Sequence, residues 1–350
     1  MSTPLELHNA ARKYCADRFA YWSSAYQKLY GEGKASVGSG YSDDASDAFA
    51  RCKALSAVLN EIERMDADEL PEYSDLSDLL ILAGQIAESP LSPIAASRRL
   101  GFVESPISET ETAAMQDQRD DIAELLRGLT PESFAALPEV LAREIAETQF
   151  TESPILPVED LRELTLMGAR SAIQAAAIQD ERDEFVEAVR KFTPESIAAL
   201  PALPYRRVLS MAEVASLWKR VAARWGGSYG QIYPLAERTD SSLRAYDDEA
   251  FDKEFPAERL QSILRSRGVE RIYELREYGD ENYLMSIDCW EPYYDAEGTW
   301  FSDPLDWVMF WSHEGSVTTG GALTNSIVSQ WKDVGNHAPW FFDNDHPWFP

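Results

Sequence analysis

The chain reads as an α+β protein: a helical front with an internal repeat, then a mainly antiparallel four-stranded sheet with covering helices. Three observations lead there. Apolar residues recur at three- and four-residue steps through most of the first 225 positions. One helical segment occurs twice in tandem. Beyond residue 270 the spacing changes to the two-residue alternation of strands. At 350 residues the chain suits two domains. The acidic, turn-like stretch that begins at Asp240 sets them at 1–239, α-helical, and 240–350, α+β.

Leu5–Tyr30 is the first expected helix. Pro4 suits a first-turn position, where its missing N–H is not needed. Leu7, Ala11, Tyr14, Cys15, Arg18, Tyr21, Trp22 and Tyr26 form its stripe. Gly31–Gly40 reads as a Gly/Ser-rich loop. Asp43–Met65 is a second helix, with Ala48, Cys52, Leu55, Val58, Leu59 and Ile62 on the buried face. Arg18 and Arg51 are each flanked by aromatics. They read as structural ion pairs or cation–π contacts, or alternatively as a paired basic spot. Leu76–Ala87 is a third helix. Glu88-Ser-Pro, Glu104-Ser-Pro and Glu152-Ser-Pro are connectors, because proline keeps the residue before it out of a helix.

The repeat joins Gln118–Pro138 to Glu181–Pro201, 63 positions later, with more than half the residues identical. In each copy a helix ends at Leu129 or Phe192. Thr130 or Thr193 then caps a new helix that begins with proline. Two copies are too few for a solenoid, so two stacked helical units are expected.

Met211–Arg224 is a helix with a Ser210/Glu213 capping box, ended by Gly226-Gly227. Arg206 and Arg207, in the elbow before it, are expected to tie the helical half to the α+β half through carboxylates. Tyr229–Leu235 bridges, and acidic, turn-like Asp240–Glu254 is the expected boundary. Pro256–Arg267 is a helix stopped by Gly268. Arg271–Tyr278 is a strand with Tyr273, Leu275 and Glu277 on one face and Ile272, Glu274 and Arg276 on the other. Gly279-Asp280 turns the chain, and Asn282–Trp290 returns.

Trp307–Trp311 has the composition of a buried strand. Ser312-His313-Glu314-Gly315 breaks it, Ser316–Thr319 resumes, and Gly320-Gly321 ends the hairpin. Leu323, Ile327 and Trp331 then mark a helix. Trp340, Phe341, Phe342, Trp348 and Phe349 in the tail either fold back or form an association surface.

Three constellations could carry chemistry. Ser312, His313 and Glu314 stand at the hairpin tip. Neighbouring residues on a strand end diverge, so they do not make a triad by themselves. His313 could serve as acid or base with a distant Glu274 or Glu277; the plainer reading is a turn held by side-chain hydrogen bonds. Glu274, Arg276 and Glu277 place three charges on one strand, suited to acid/base work, to a solvated face, or to a buried contact with Arg206 or Arg207. No Cys/His metal spacing exists, and His337 with Asp343–His346 is a poor substitute. There is no P-loop, dinucleotide fingerprint or kinase signature, so no cofactor and no metal are expected. Ser312, His313, Glu314, Trp300, Arg206 and Arg207 form the candidate binding set.

The formal charge is −28, from 60 Asp and Glu against 32 Lys and Arg. That opposes direct contact with nucleic acid or an anionic membrane, and favours a basic protein partner. The three cysteines, Cys15, Cys52 and Cys289, read as reduced thiols, with Cys15 and Cys52 in helical patterns as small core residues. No basic n-region with an apolar h-region opens the chain, and no apolar run reaches bilayer length, so a cytoplasmic location is expected.

Several stretches form a familiar set: Ala11-Arg-Lys-Tyr-Cys-Ala-Asp-Arg-Phe-Ala-Tyr-Trp, Phe49-Ala-Arg-Cys with Glu61-Ile-Glu-Arg, Leu203-Pro-Tyr-Arg-Arg-Val-Leu-Ser, Ile272-Tyr-Glu-Leu-Arg-Glu, and Asp306-Trp-Val-Met-Phe-Trp-Ser-His-Glu-Gly-Ser-Val. Together they resemble a family of uncharacterised bacterial cytoplasmic proteins with a helical front and an α+β end. The resemblance implies no activity and no catalytic residue, and the copy at Gln118–Pro138 departs from its pattern.

The functional expectation is therefore an acidic protein-binding protein, an immunity-type antitoxin or inhibitor of a basic bacterial toxin. The alternative is an enzyme using His313 and Glu314 near the hairpin tip. A scaffold resting on the helical repeat is a third reading.

Overall fold

The computed structural model describes residues 3–37, 42–87, 172–226, 240–276, 281–292 and 297–339. The first repeat copy, Tyr229–Leu235, Glu277, the Gly279-Asp280 turn and the aromatic tail from Trp340 onward lie outside the described residues. The chain divides into two compact units, Met1–Leu203 and Pro204–Pro350. The division falls earlier than the expected break after residue 239, because Arg206–Val208 is a strand of the second unit's sheet.

The first unit is helical: α1 Pro4–Val37, α2 Asp43–Glu63, α3 Tyr73–Ile86, α4 Ala172–Lys191 and the short α5 Pro194–Ile197. Thr3 and Glu6 cap α1 reciprocally, Glu6 N donating to Thr3 Oγ1 and Thr3 N to Glu6 Oε2. The helix continues through the expected loop to Val37, since Glu32, Lys34 and Ala35 favour helix enough to carry two glycines. Leu7, Ala11, Val58, Leu80, Phe185 and Val189 share the core. Small residues let the helices close up; a Cβ on Gly84 would meet the Phe185 ring at 2.7 Å. The second repeat copy has the expected punctuation: α4 ends at Lys191, Thr193 accepts from Ser196 N, and Pro194 opens α5. Cys15 and Cys52 are buried and unbridged, and burial pushes the Cys52 thiol up to about 11. Cys289 is half-buried, and its thiol donates to Ser286 O at 3.2 Å.

The second unit is α+β: β1 Arg206–Val208, α6 Met211–Trp225, β2 Arg244–Asp247, α7 Asp248–Glu254, α8 Ala257–Arg265, β3 Arg271–Arg276, β4 Tyr283–Ser286, β5 Gly298–Phe301, β6 Trp307–Ser312, β7 Ser316–Gly321 and α9 Ala322–Gln330. Among the described residues seven strands join one sheet in the order β1-β4-β3-β5-β6-β7-β2, and every pairing is antiparallel. The expected sheet had four strands. The added members include the edges β1 and β2, three and four residues long, too short for alternation to show. Asp240–Glu254 is thus β2 and α7 rather than a boundary loop.

Both faces of the sheet are covered. Ile272, Trp300, Trp307, Met309 and Val317 pack with α7, α8 and α9 through Phe251, Leu264 and Ile327. Leu275, Phe301, Val308 and Phe310 pack with α6 through Val214, Leu217, Val221 and Trp225. Every residue of β6 is buried, which is why its sequence is a continuous apolar run rather than an alternating one. The expected alternation of β3 holds for the residues described. Gly321 takes φ +65°, and a Cβ there would lie 2.2 Å from Asp306 O. The Gly-Gly pair therefore belongs to β7, where it lets the Trp225 ring approach the strand, and does not merely end it. Among the described residues no helix is long and apolar enough to cross a membrane.

Candidate functional site

The hairpin tip forms from its own sequence. Ser312 pairs with Ser316, leaving His313, Glu314 and Gly315 as the loop. Gly315 closes it at φ +68°, the left-handed position such a three-residue loop requires. Ser312 Oγ accepts from Glu314 N at 3.1 Å. Side-chain hydrogen bonding holds the turn, as the plainer sequence reading expects.

The residue that organises the tip is Glu297, immediately before β5. Its carboxylate is 5% exposed. Oε1 accepts from Ser312 Oγ at 3.2 Å, from His313 N at 3.2 Å, and from His313 Nδ1 in a short contact. His313 Nε2 lies 3.2 Å from Glu314 Oε1. The imidazole thus stands between two carboxylates, with its side chain 55% exposed. Nothing local in the sequence marks Glu297. Strand register alone brings it beside Ser312, as Gly298 pairs with Trp311.

Behind the tip the sheet carries the buried hydroxyls of Ser312, Ser316, Thr318 and Thr319. Ser312 pairs with Ser316, which pairs with Asp247; Thr318 lies between Phe310 and Ala245. Ser316 Oγ and Thr318 Oγ1 are buried without a hydrogen-bond partner. Each such hydroxyl costs about 1–3 kcal/mol of desolvation. This end of the sheet is more polar than packing requires.

Glu274 and Arg276 are elsewhere, on the opposite face and in the core. Arg276 Nε donates to Glu274 Oε1 at 3.1 Å, and Trp300 Nε1 donates to Glu274 Oε2 at 2.7 Å. The Arg276 guanidinium lies 5.2 Å from the Trp300 ring centroid. The Glu274 and Arg276 side chains are both buried, on the face of the sheet opposite to Glu297 and Ser312. Trp300 is fully buried. Arg206 stacks on the Tyr283 ring at 4.0 Å, and Arg207 makes a two-pronged pair with Glu213 at 2.6 and 3.0 Å. These arginines fasten β1 to β4 and α6 within the second unit. The structure brings together Ser312, His313 and Glu314 from the candidate set, and adds Glu297.

Among the described residues no group of three or more His, Cys, Asp or Glu is placed to hold a metal ion. His337 stacks on Trp331 at 4.7 Å, apart from any such group. No family model, curated protein or solved structure matches the chain.

Proposed function

We propose that the protein is an acidic binding protein, of the immunity or antitoxin kind, that occludes a basic bacterial toxin. The observation that carries this reading is the charge balance of −28, combined with where the cations go. Arg12, Arg18, Arg51, Arg207 and Arg224 each hold a carboxylate of this chain. These guanidiniums are committed internally, so the surplus is carboxylate. A surface of that kind speeds encounter with a cationic protein and rejects nucleic acid. The test is affinity capture of the products of neighbouring genes on the purified protein, at low and at high salt. One basic protein held at low salt and weakened at high salt is expected. Capture that ignores salt, or no captured protein, would remove the reading.

A second reading has one observation in its favour. Glu297 fixes His313 Nδ1 from below, as a carboxylate orients the imidazole of an acid–base enzyme. It ranks second because Nε2 already faces Glu314, and a half-exposed ring does not exclude water. Turnover of a substrate panel abolished by His313→Ala would promote it.

A further inference from the structure

We infer that the α1–α2–α4 face of the helical unit is the docking surface for the basic partner, and that it receives arginine side chains. This rests on the basic-partner reading and locates it. The surface is built around Trp22. Its ring is covered on one side by the Arg51 guanidinium at 4.8 Å and met edge-on by Tyr21 at 5.0 Å. Tyr26, one turn further along α1, touches Phe49 of α2 at 5.3 Å. Tyr21 is 66% exposed and Phe49 40%. Large aromatics are seldom left this wet without a reason, and Tyr is enriched where binding energy concentrates.

Acids frame the aromatics. Arg51 bonds Asp47, Asp180 and Glu181, and Arg18 bonds Glu181 and Glu184. Four carboxylates thus surround two guanidiniums, both already engaged. Asp180 and Glu184 keep side-chain exposures of 61% and 51%. An aromatic face beside surplus carboxylate is what a guanidinium needs: the plane stacks on the ring while its N–H groups reach an acid. Lysine gains the charge attraction but less from stacking, so the surface discriminates between the two. The Arg51–Trp22 stack shows the same pairing already used within the chain.

The experiment compares nona-arginine and nona-lysine peptides by fluorescence anisotropy against the full-length protein. Wild type is expected to prefer nona-arginine. Tyr21→Ala with Phe49→Ala should lower that preference by about two- to five-fold for each ring lost, with little change for nona-lysine. Asp180→Asn with Glu184→Gln should weaken both peptides and leave the ratio intact. An unchanged ratio in the aromatic variant would overturn the inference while leaving the basic-partner reading standing. Failure of wild type to bind either peptide at low salt would overturn both. A dimer in sedimentation that Tyr21→Ala dissociates would assign the face to a second copy of the chain, and also overturn it.

Discussion

Glu181 in the helical unit and Glu297 in the α+β unit are both carboxylates almost entirely removed from water. They are held by different chemistry. Glu181 collects two guanidiniums and an indole: Arg18 at 2.6 and 2.7 Å, Arg51 at 3.0 Å and Trp22 at 2.9 Å. Glu297 collects a hydroxyl, a backbone N–H and one imidazole, all on Oε1. Two permanent cations lock three helices together. One titratable ring and two neutral donors hold a hairpin tip open to solvent. Burial depth is therefore no guide to role; the partners decide whether a buried acid joins helices or shapes a hairpin tip.

The widest separation between the two should appear in Glu181→Ala. It takes from Arg18 and Arg51 their shared buried acceptor, leaving them the more exposed Glu184, Asp47 and Asp180, and is expected to cost about 3 kcal/mol, read from the urea midpoint. A loss no greater than that of Glu297→Ala would erase the contrast. The helical unit also buries a base, His8, whose Nε2 donates to Ile62 O at 3.1 Å. Burial holds it down, from 6.5 to about 4. Between those values the unfolded chain binds a proton that the folded one refuses. The contribution is thus complete above pH 6.5 and is lost as pH falls toward 4, by about 3 kcal/mol. Urea unfolding at several pH values should show this loss in the wild type and not in His8→Phe.

Glu297→Ala comes next, at about 1–3 kcal/mol, because it leaves only neutral donors and an exposed imidazole behind. Amide exchange at His313 should quicken without change in the helical unit. The smallest effects should be equal between the units. Thr193→Ala and Ser210→Ala each remove one reciprocal helix cap and should each cost about 1 kcal/mol.

Legibility followed the range of the forces involved. The caps at Thr193 and Ser210, the β6–β7 hairpin and the alternation of β3 depend on residues a few positions apart, and all could be read. Arg18 and Arg51 could be read as structural cations from their aromatic neighbours. Their shared acceptor Glu181 could not, being more than a hundred positions away. The first repeat copy carries Gln118 where the second has Glu181, a difference whose weight emerges only once the two arginines are seen converging. The tip showed Ser312, His313 and Glu314 but hid Glu297, which no local pattern distinguishes from other acids. Arg206, Arg207 and Trp300 were placed in the binding set for their chemistry; in the fold Trp300 is buried, and the two half-buried arginines meet Tyr283 and Glu213.

By itself the sequence determined the α+β class, the helix starts set by the caps at Thr193 and Ser210, the hairpin, the repeat and the acid surplus. Each of these is written within a few turns or strands of chain, or in simple composition. Tertiary structure alone decided that seven strands form one sheet, that both its faces are covered, and where the units divide. It alone also selected which buried acids meet guanidiniums and which meets an imidazole. Those outcomes depend on pairings between distant segments, whose free energies appear only when the segments meet and exclude water.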